Sequence, residues 1–551
     1  MPKRVEFSGP GPDPERATRP EDAGRLDGAS RGRLIAIIAA LVLFSEVAPF
    51  QAGMISYIVP KIAVTFPQAG ANVTWSVTML GVAGGATLAL VGKLGDQIGK
   101  KKVLLLCGVL FIIGCVICAL TSNWALFLVG RGLGGVSFGM TAVEYGVVRD
   151  AMPRRWIPVT IGIIGTGFGV SGILGPLICG WLTDNYSWRS VFWFLIIYMI
   201  VTFPIVILAV PESPLRIKQR FDVVGSLLFG IGIGTVLVYL SEGSSWGWGT
   251  IGCLAYLIGG LVALAAFVVW ELTVPAEPIM DFSMLRAPKV LTLMMAAFFV
   301  TGIITALSIA IAYMFETPTQ AVLKQQILAG VAAQTHQPLS VVAQIVHFQG
   351  DLSYATAGFS VLALAVHITM WTSLFGMIAG PIGGHIARKV GGRLPLLISA
   401  GSLVIGTALW VQWHTTWQEQ LGIGVFYGVG FGFYYAANPN LLMDAVPAER
   451  QGIASGLLAV FGCIGTSAAT ALFTAIMAAH PLRIAITAGA GHQVVSTVPG
   501  VYSNSGYSLV YILLGIVPAA LTFIIVYQLH TGRTPALGGA SAPAQEEVAP
   551  V

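Results

Sequence analysis

Fourteen apolar runs set the terms for this chain. They lie at 34–58, 74–94, 103–120, 124–147, 158–182, 188–210, 223–241, 250–271, 289–314, 355–381, 395–413, 420–443, 453–479 and 506–529. A run of about 20 residues crosses the ~30 Å hydrocarbon core of a bilayer as one α-helix. With 56% hydrophobic residues and only 10% charged, a soluble globular domain is excluded. The expectation is an all-α polytopic membrane protein with fourteen transmembrane helices. The first run is too long for a cleavable signal peptide and follows a 33-residue polar tail.

The basic residues set the orientation. With a cytoplasmic N-terminus, nineteen Lys/Arg fall on the inner side, among them Lys100, Lys101, Lys102, Arg154, Arg155, Arg388 and Lys389. Only Lys61, Arg189, Lys324 and Arg483 fall outside. That asymmetry predicts both termini in the cytoplasm. The formal +5 is therefore topology and gives no reason to expect nucleic acid. All six cysteines sit in apolar runs; Cys115 and Cys118 form a C-x-x-C without a second ligand pair, so packing is expected and no disulfide.

Residues 1–33 and 532–551 read as disordered cytoplasmic tails. Between them, two polar hinges repeat: "GKLGDQIGKKK" at 92–102 and "GHIARKVGGR" at 384–393. Gly92 matches Gly384, Gly99 matches Gly391 and Lys101 matches Arg393, while Asp96 faces Arg388 in the alignment. Each hinge follows the second run of its half. This predicts an N-terminal six-helix bundle (34–210), a linker with two extra helices (211–272) and a C-terminal six-helix bundle (273–531). Residues 317–353 and 480–505 are too polar to cross and read as an external cap, the second as a small hairpin. His336 and His347 within it read as surface residues, and no metal site is expected.

Three stretches carry a family resemblance: the hinge "GKLGDQIGKKK", "LFLVGRGLGG" around Arg131, and "GIIGTGFGVSGILGPLICG" in the fifth run. Together, in this order, they resemble the major facilitator superfamily, in particular its fourteen-helix drug–proton antiporter branch, over about residues 33–530. The third stretch keeps the antiporter-motif residues Gly162, Gly175, Pro176 and Gly180; Ser171 and Cys179 stand where glycines are usual, and both are small. Three departures concern the proton site. Gln51 occupies the place of a usual aspartate nine residues before Pro60. Gly134 replaces a usual glutamine, and Glu144 stands where a small residue is usual.

A charge at mid-membrane costs about 2.5–3.5 kcal/mol on insertion scales, so it tends to meet a partner or water. Glu46 in the first run, and Arg131 and Glu144 in the fourth, are therefore the proton-coupling candidates. Glu46 is expected either to carry the proton with Arg131 tuning it, or to form a permanent ion pair with Arg131. Glu144 continues a polar stripe with Thr141 and Ser137. It is read as a second proton site, a lure for cationic substrate, or a contact to Arg149.

The resemblance implies that Asp96, with Gly92, Gly99, Lys100 and Arg149, forms a cytoplasmic latch against a helix N-terminus of the other half, starting near Gly452. Arg388 in the twin hinge cannot repeat that contact. Phe50, Gln51, His367, Trp371, Tyr434, Tyr435, Asn438 and Asn440 are the expected substrate-pocket residues.

No nucleophile–base pair or phosphate loop points to an enzyme. The leading expectation is a monomeric, proton-driven antiporter of the bacterial inner membrane. It would export amphipathic small molecules, drugs or lipid-like compounds, with the proton gradient in place of a cofactor and lipids around it. A transporter for one defined metabolite or lipid and a non-transporting sensor are the alternatives.

Overall fold

The computed structural model describes residues 26, 28–153, 156–212, 222–273, 282–446, 451–487 and 493–529. The predicted tail at 532–551 and most of that at 1–33 lie outside these residues.

The N-terminal half holds α1 (Arg31–Ser45), α2 (Val47–Thr65), α3 (Trp75–Ile98), α4 (Lys100–Leu120), α5 (Trp124–Gly135), α6 (Ser137–Ala151), α7 (Ile157–Asn185) and α8 (Ser190–Ala209). Next come α9 (Val223–Trp246), α10 (Ile251–Thr273) and the short α11 (Phe282–Leu285). The C-terminal half begins with α12 (Pro288–Glu316). An insertion follows, with α13 (Gln320–Thr335), α14 (Leu339–Ile345) and β1 (Val346–Gln349). Then α15 (Val361–Leu364) runs through a π-helical turn into α16 (Met370–Val390), followed by α17 (Arg393–Gln412), α18 (Trp417–Ala445) and α19 (Gln451–Ala479). Strands β2 (Pro481–Thr487) and β3 (Gln493–Tyr502) precede α20 (Asn504–Val510), which continues by a second π-helical stretch into α21 (Val517–Tyr527). Among the described residues, ten helical segments are long and apolar enough to cross a membrane.

Local chemistry explains the breaks. Pro49 has no N–H to give the Ser45 carbonyl, and the first rod is interrupted there, between α1 and α2 at Glu46. Thr416 and Glu419 form a capping box that starts α18. The two repeated hinges turn on glycines in the left-handed region, Gly99 (φ 116°) and Gly391 (φ 88°), where a side chain is strained. The tenth apolar run starts its helix only at Val361; residues 355–360 are irregular, with Gly358 at φ 61°.

The bundles meet along α3 and α19, and again where α7 packs on α15 and α16. Helix α9 leans on both α3 and α19, with α10 on its far side. Small residues permit the close crossings: a Cβ at Gly432 would lie 2.3 Å from the Gly376 carbonyl oxygen. The hairpin expected at 480–505 is present and gains a third strand from 346–349: together they form an antiparallel sheet in the order β1-β2-β3, with Val346 opposite Ile486 and Ile484 opposite Ser496. Val331, Val342, Val346 and Ile484 form its own small apolar core.

The Gly99 hinge yields a test. Gly99→Ala forces a Cβ into that backbone and to 2.7 Å from the Glu212 carboxylate. It is expected to destabilise the protein by ~1–3 kcal/mol, read as a lowered thermal unfolding midpoint in detergent.

Candidate functional site

Arg131 lies on α5, only 1% exposed, where α2, α3 and α5 cross. Its Nε donates to the Ser76 carbonyl at 2.7 Å and Nη1 donates to Gln51 Oε1 at 3.3 Å. Gln51 in turn donates through Nε2 to the Gly134 carbonyl at 2.9 Å and to Ser137 Oγ at 2.6 Å. The guanidinium also lies 5.9 Å from the centre of the Phe192 ring. The expected Glu46–Arg131 pairing is not what the structure shows: the arginine's hydrogen bonds go to Ser76 and Gln51. Gln51 fits because its amide offers an acceptor to the cation and donors to α5 and α6 at once. A cation in the membrane-spanning bundle is thus held by a carbonyl, an amide and a ring face.

Glu46 meets a different group. It is 5% exposed at the break between α1 and α2, and its carboxyl lies against Ser171 on α7, with Oε2 left without a hydrogen bond. The carboxyl of Glu144, fully buried on α6, lies close enough to interact electrostatically with that of Glu46. Neither Glu144 oxygen has a hydrogen bond of normal geometry, although the Ser45 hydroxyl, which donates to the Val42 carbonyl, lies beside it. The stripe of Ser137, Thr141 and Glu144 therefore runs along the first rod. Ser137 meets Gln51 at one end, and Glu144 meets Glu46 at the other.

At the hinge, Lys100 forms a buried ion pair with Asp150, Nζ to Oδ2 2.8 Å. Its stem covers Gly146 so tightly that a Cβ there would lie 2.5 Å from Lys100 Cε. Glu212 Oε1 accepts from the Lys101 backbone N–H at 3.0 Å and so caps α4. The side chains of Asp96 and Arg149 lie outside the described residues, as do Gln451, Gly452 and Ile453 at the start of α19. Gly92 sits near the end of α3, with open space around its Cα.

The motif in α7 sits between the carboxyls and the opposite bundle. A Cβ at Gly175 would touch the Phe50 ring at 3.5 Å, and one at Gly180 would strike Leu362 at 2.4 Å. Pro176 lies inside the helix, and Gly162 is near its start. Cys179 Sγ donates to the Met54 carbonyl at 3.4 Å. One turn beyond, Asp184 accepts from the backbone N–H groups of Val361 at 3.3 Å and Leu362 at 2.9 Å. An N-bundle carboxylate thus caps the first helix turn of a C-bundle segment. Thr74 and Thr474 share a hydrogen bond across the other seam, and Ser467 Oγ donates to the Thr78 carbonyl at 3.2 Å.

The eight pocket candidates do not form one cluster. Phe50 packs edge-on to Phe194 and Tyr198 within its own half, and Gln51 is fully buried against Arg131. His367 lies between Phe359 and Trp417, both ring centres 5.0 Å away. Trp371 is half-exposed and donates to the Val366 carbonyl; Asn440 is exposed and donates to the Ala436 carbonyl. Tyr434, Tyr435 and Asn438 do lie together: the two rings are 5.0 Å apart, and Asn438 Nδ2 donates to the Tyr434 hydroxyl at 3.4 Å. Near them is a hydroxyl group set that the sequence reading missed. Tyr57 of α2 lies beside Ser308 of α12 and Thr369 before α16, and the Tyr427 hydroxyl of α18, beside Ser308, donates to the Ile304 carbonyl at 3.0 Å. A tyrosine at every fourth or seventh place of a greasy helix reads as packing, so only the assembled bundles reveal this set.

The family profile described as Major Facilitator Superfamily matches residues 39–470. The chain belongs to the major facilitator superfamily. A Mycobacterium tuberculosis relative in this superfamily, the uncharacterized MFS-type transporter Rv1877, is 26% identical over 440 residues, 79% of this chain and 59% of the relative. The chain thus spans well under two thirds of that protein's length. The multidrug resistance protein Stp of M. tuberculosis is 24% identical over 455 residues, 82% of this chain and 77% of Stp. The crystal structure of a POT family transporter in complex with 5-aminolevulinic acid shares the fold. Its TM-score is 0.58 at 13% identity, covering 92% of this chain and 96% of that one.

The Arg131 node is testable. Gln51→Leu strands the guanidinium and the Ser137 hydroxyl in a buried site. It should cost ~1–3 kcal/mol, measured as loss of thermal stability, while Gln51→Glu retains an acceptor for Arg131 and folds.

Proposed function

We propose that this protein is a proton-coupled antiporter that exports amphipathic small molecules, of the fourteen-helix drug–proton kind, with both termini in the cytoplasm of a bacterial cell. The observation that carries the reading is the contact between the Glu46 carboxyl and Ser171 of α7, with Glu144 alongside. Two adjacent carboxylates repel strongly in a medium of low dielectric, so a site of this kind takes up and releases protons with its wetting. Ser171 is on the same helix whose outer half is clasped to Leu362 through Gly180 and Asp184. Ionisation of Glu46 strengthens its interaction with Ser171, and protonation weakens it. The proton is thereby linked to how α7 sits against the C-terminal half.

The remaining assignments follow from this cycle. The bundles at 34–210 and 273–531 rock about their seams, with 211–272 as linker and extra helices. Asp96, Gly92, Gly99, Lys100 and Arg149 latch the cytoplasmic side, with the Lys100–Asp150 pair fixing the hinge from beneath. Tyr434, Tyr435 and Asn438, joined by Tyr57, Ser308 and Tyr427, offer hydroxyls and ring faces to a ligand that is partly apolar. The name of the relative Stp, a multidrug resistance protein, fits that ligand class.

Reconstitution tests the coupling. In proteoliposomes with an imposed pH gradient, substrate-dependent proton flux is expected in the wild type. It should fall to background in Glu46→Gln and be strongly reduced in Glu144→Gln, with both variants folded by size exclusion. Undiminished flux in both variants would remove the carboxyl pair as the coupling site.

A further inference from the structure

The short external loop between α17 and α18 holds a histidine that the transport reading does not use. His414 is 4% exposed. Its Nδ1 lies 2.6 Å from the Trp410 carbonyl oxygen, and its Nε2 lies 2.7 Å from Asn504 Oδ1. We propose that His414 is an external proton-binding site: as an imidazolium it clamps the external cap to the C-terminal bundle, and loss of its proton releases the cap.

The protonation follows from counting donors. A backbone carbonyl only accepts, so Nδ1 must carry hydrogen. The amide of Asn504 cannot turn over to relieve Nε2. Its Nδ2 already donates to Asp351 Oδ2 and to Ser353 Oγ, each at 3.0 Å. Reversing it would point Oδ1 at a carboxylate. Nε2 therefore faces an acceptor as well, and a neutral imidazole has only one N–H. Both bonds exist together only in the charged ring.

The charges around the ring agree. Partial burial raises the proton affinity of Asp351, but bonds from the Ser353 backbone, Asn504 and the Ser353 hydroxyl, with the charge of His414, outweigh it. They hold the carboxyl below its ordinary range. Trp410 is in the last turn of α17, where free carbonyls favour a cation. Tyr511 faces the ring at 5.5 Å and is neutral. Glu419, on the following helix, is engaged by the backbone N–H groups of Thr415 and Thr416 at 3.1 and 2.9 Å. Gln420 Nε2 donates to the His414 carbonyl at 3.3 Å.

Both outer strands of the cap run into this knot. Asp351 follows β1 by two residues, and its carbonyl accepts from the Asn504 backbone N–H at 2.8 Å just after β3. Strand β3 also packs on α2 and on the 3-10 turn Pro67–Thr74 of the N-terminal half. The clamp therefore bears on the external seam between halves. With His414 neutral, one ring nitrogen faces an oxygen lone pair to lone pair, and Asp351 loses its cation.

Hydrogen exchange on the full chain in lipid nanodiscs tests this, with intrinsic pH effects corrected. In the wild type, amides of 481–487 and 493–502 should exchange several-fold faster near pH 8 than near pH 5.5. His414→Gln should remove that difference. Asn504→Ala, which keeps the histidine but deletes its acceptor, should do so too and serves if the first variant does not fold. In 15N-histidine-labelled protein, the signal assigned to His414 should show both nitrogens protonated near pH 5.5. Equal wild-type exchange at the two pH values, pH-dependent exchange persisting in Asn504→Ala, or a singly protonated ring near pH 5.5 would each overturn the proposal.

Discussion

A buried guanidinium with an amide as its partner organises the N-terminal half. Arg131 ties α5 to the Ser76 carbonyl of α3 and to Gln51 of α2, and Gln51 reaches on to Gly134 and Ser137. Three rods are thereby locked in register without a carboxylate at the crossing. The acids are displaced along the first rod to its break, where Glu46 and Glu144 come together. At the crossing itself, position 51 is an uncharged glutamine that accepts from Arg131. With glutamine there, a permanent charge is neutralised by dipoles, and the titratable groups lie elsewhere.

That displacement gives α7 its place in the account. The helix touches Glu46 through Ser171, the first rod through Gly175 and Cys179, and the opposite half through Gly172, Gly180 and Asp184. One helix thus spans from the carboxyls to the clasp of Asp184 on Leu362. Coupling between two sites needs an element with two arrangements that both sites bias, and α7 is positioned to be that element. Its small residues matter for reach: a side chain at Gly180 would hold the bundles apart at Leu362.

Much of the helical frame was legible in the sequence, because lipid demands long apolar runs and the hinges repeat their glycines. Gly99 and Gly391 adopt the same kind of backbone in both halves. Pro49 accounts for the break between α1 and α2 at Glu46. What stayed hidden were contacts between residues far apart in the chain. Nothing in "VVRDA" announces that Asp150 reaches Lys100, and Asp184 at the end of an apolar run reads as an ordinary surface acid. The four-residue β1 is too short for an alternating pattern to stand out; its partner strand lies more than 130 residues on, so the sheet was legible only in its hairpin half. Tyr57 and Tyr427 looked like packing until four helices brought their hydroxyls together.

The claim with most resting on it is that a proton at Glu46 moves α7 against the other half. Distances between spin labels at Tyr186 and Val366, measured by electron–electron double resonance across a pH range, address it directly. The account requires a distribution that shifts with pH in the wild type and no longer shifts in Glu46→Gln. A Glu46→Gln distribution that follows pH as the wild type does would contradict it.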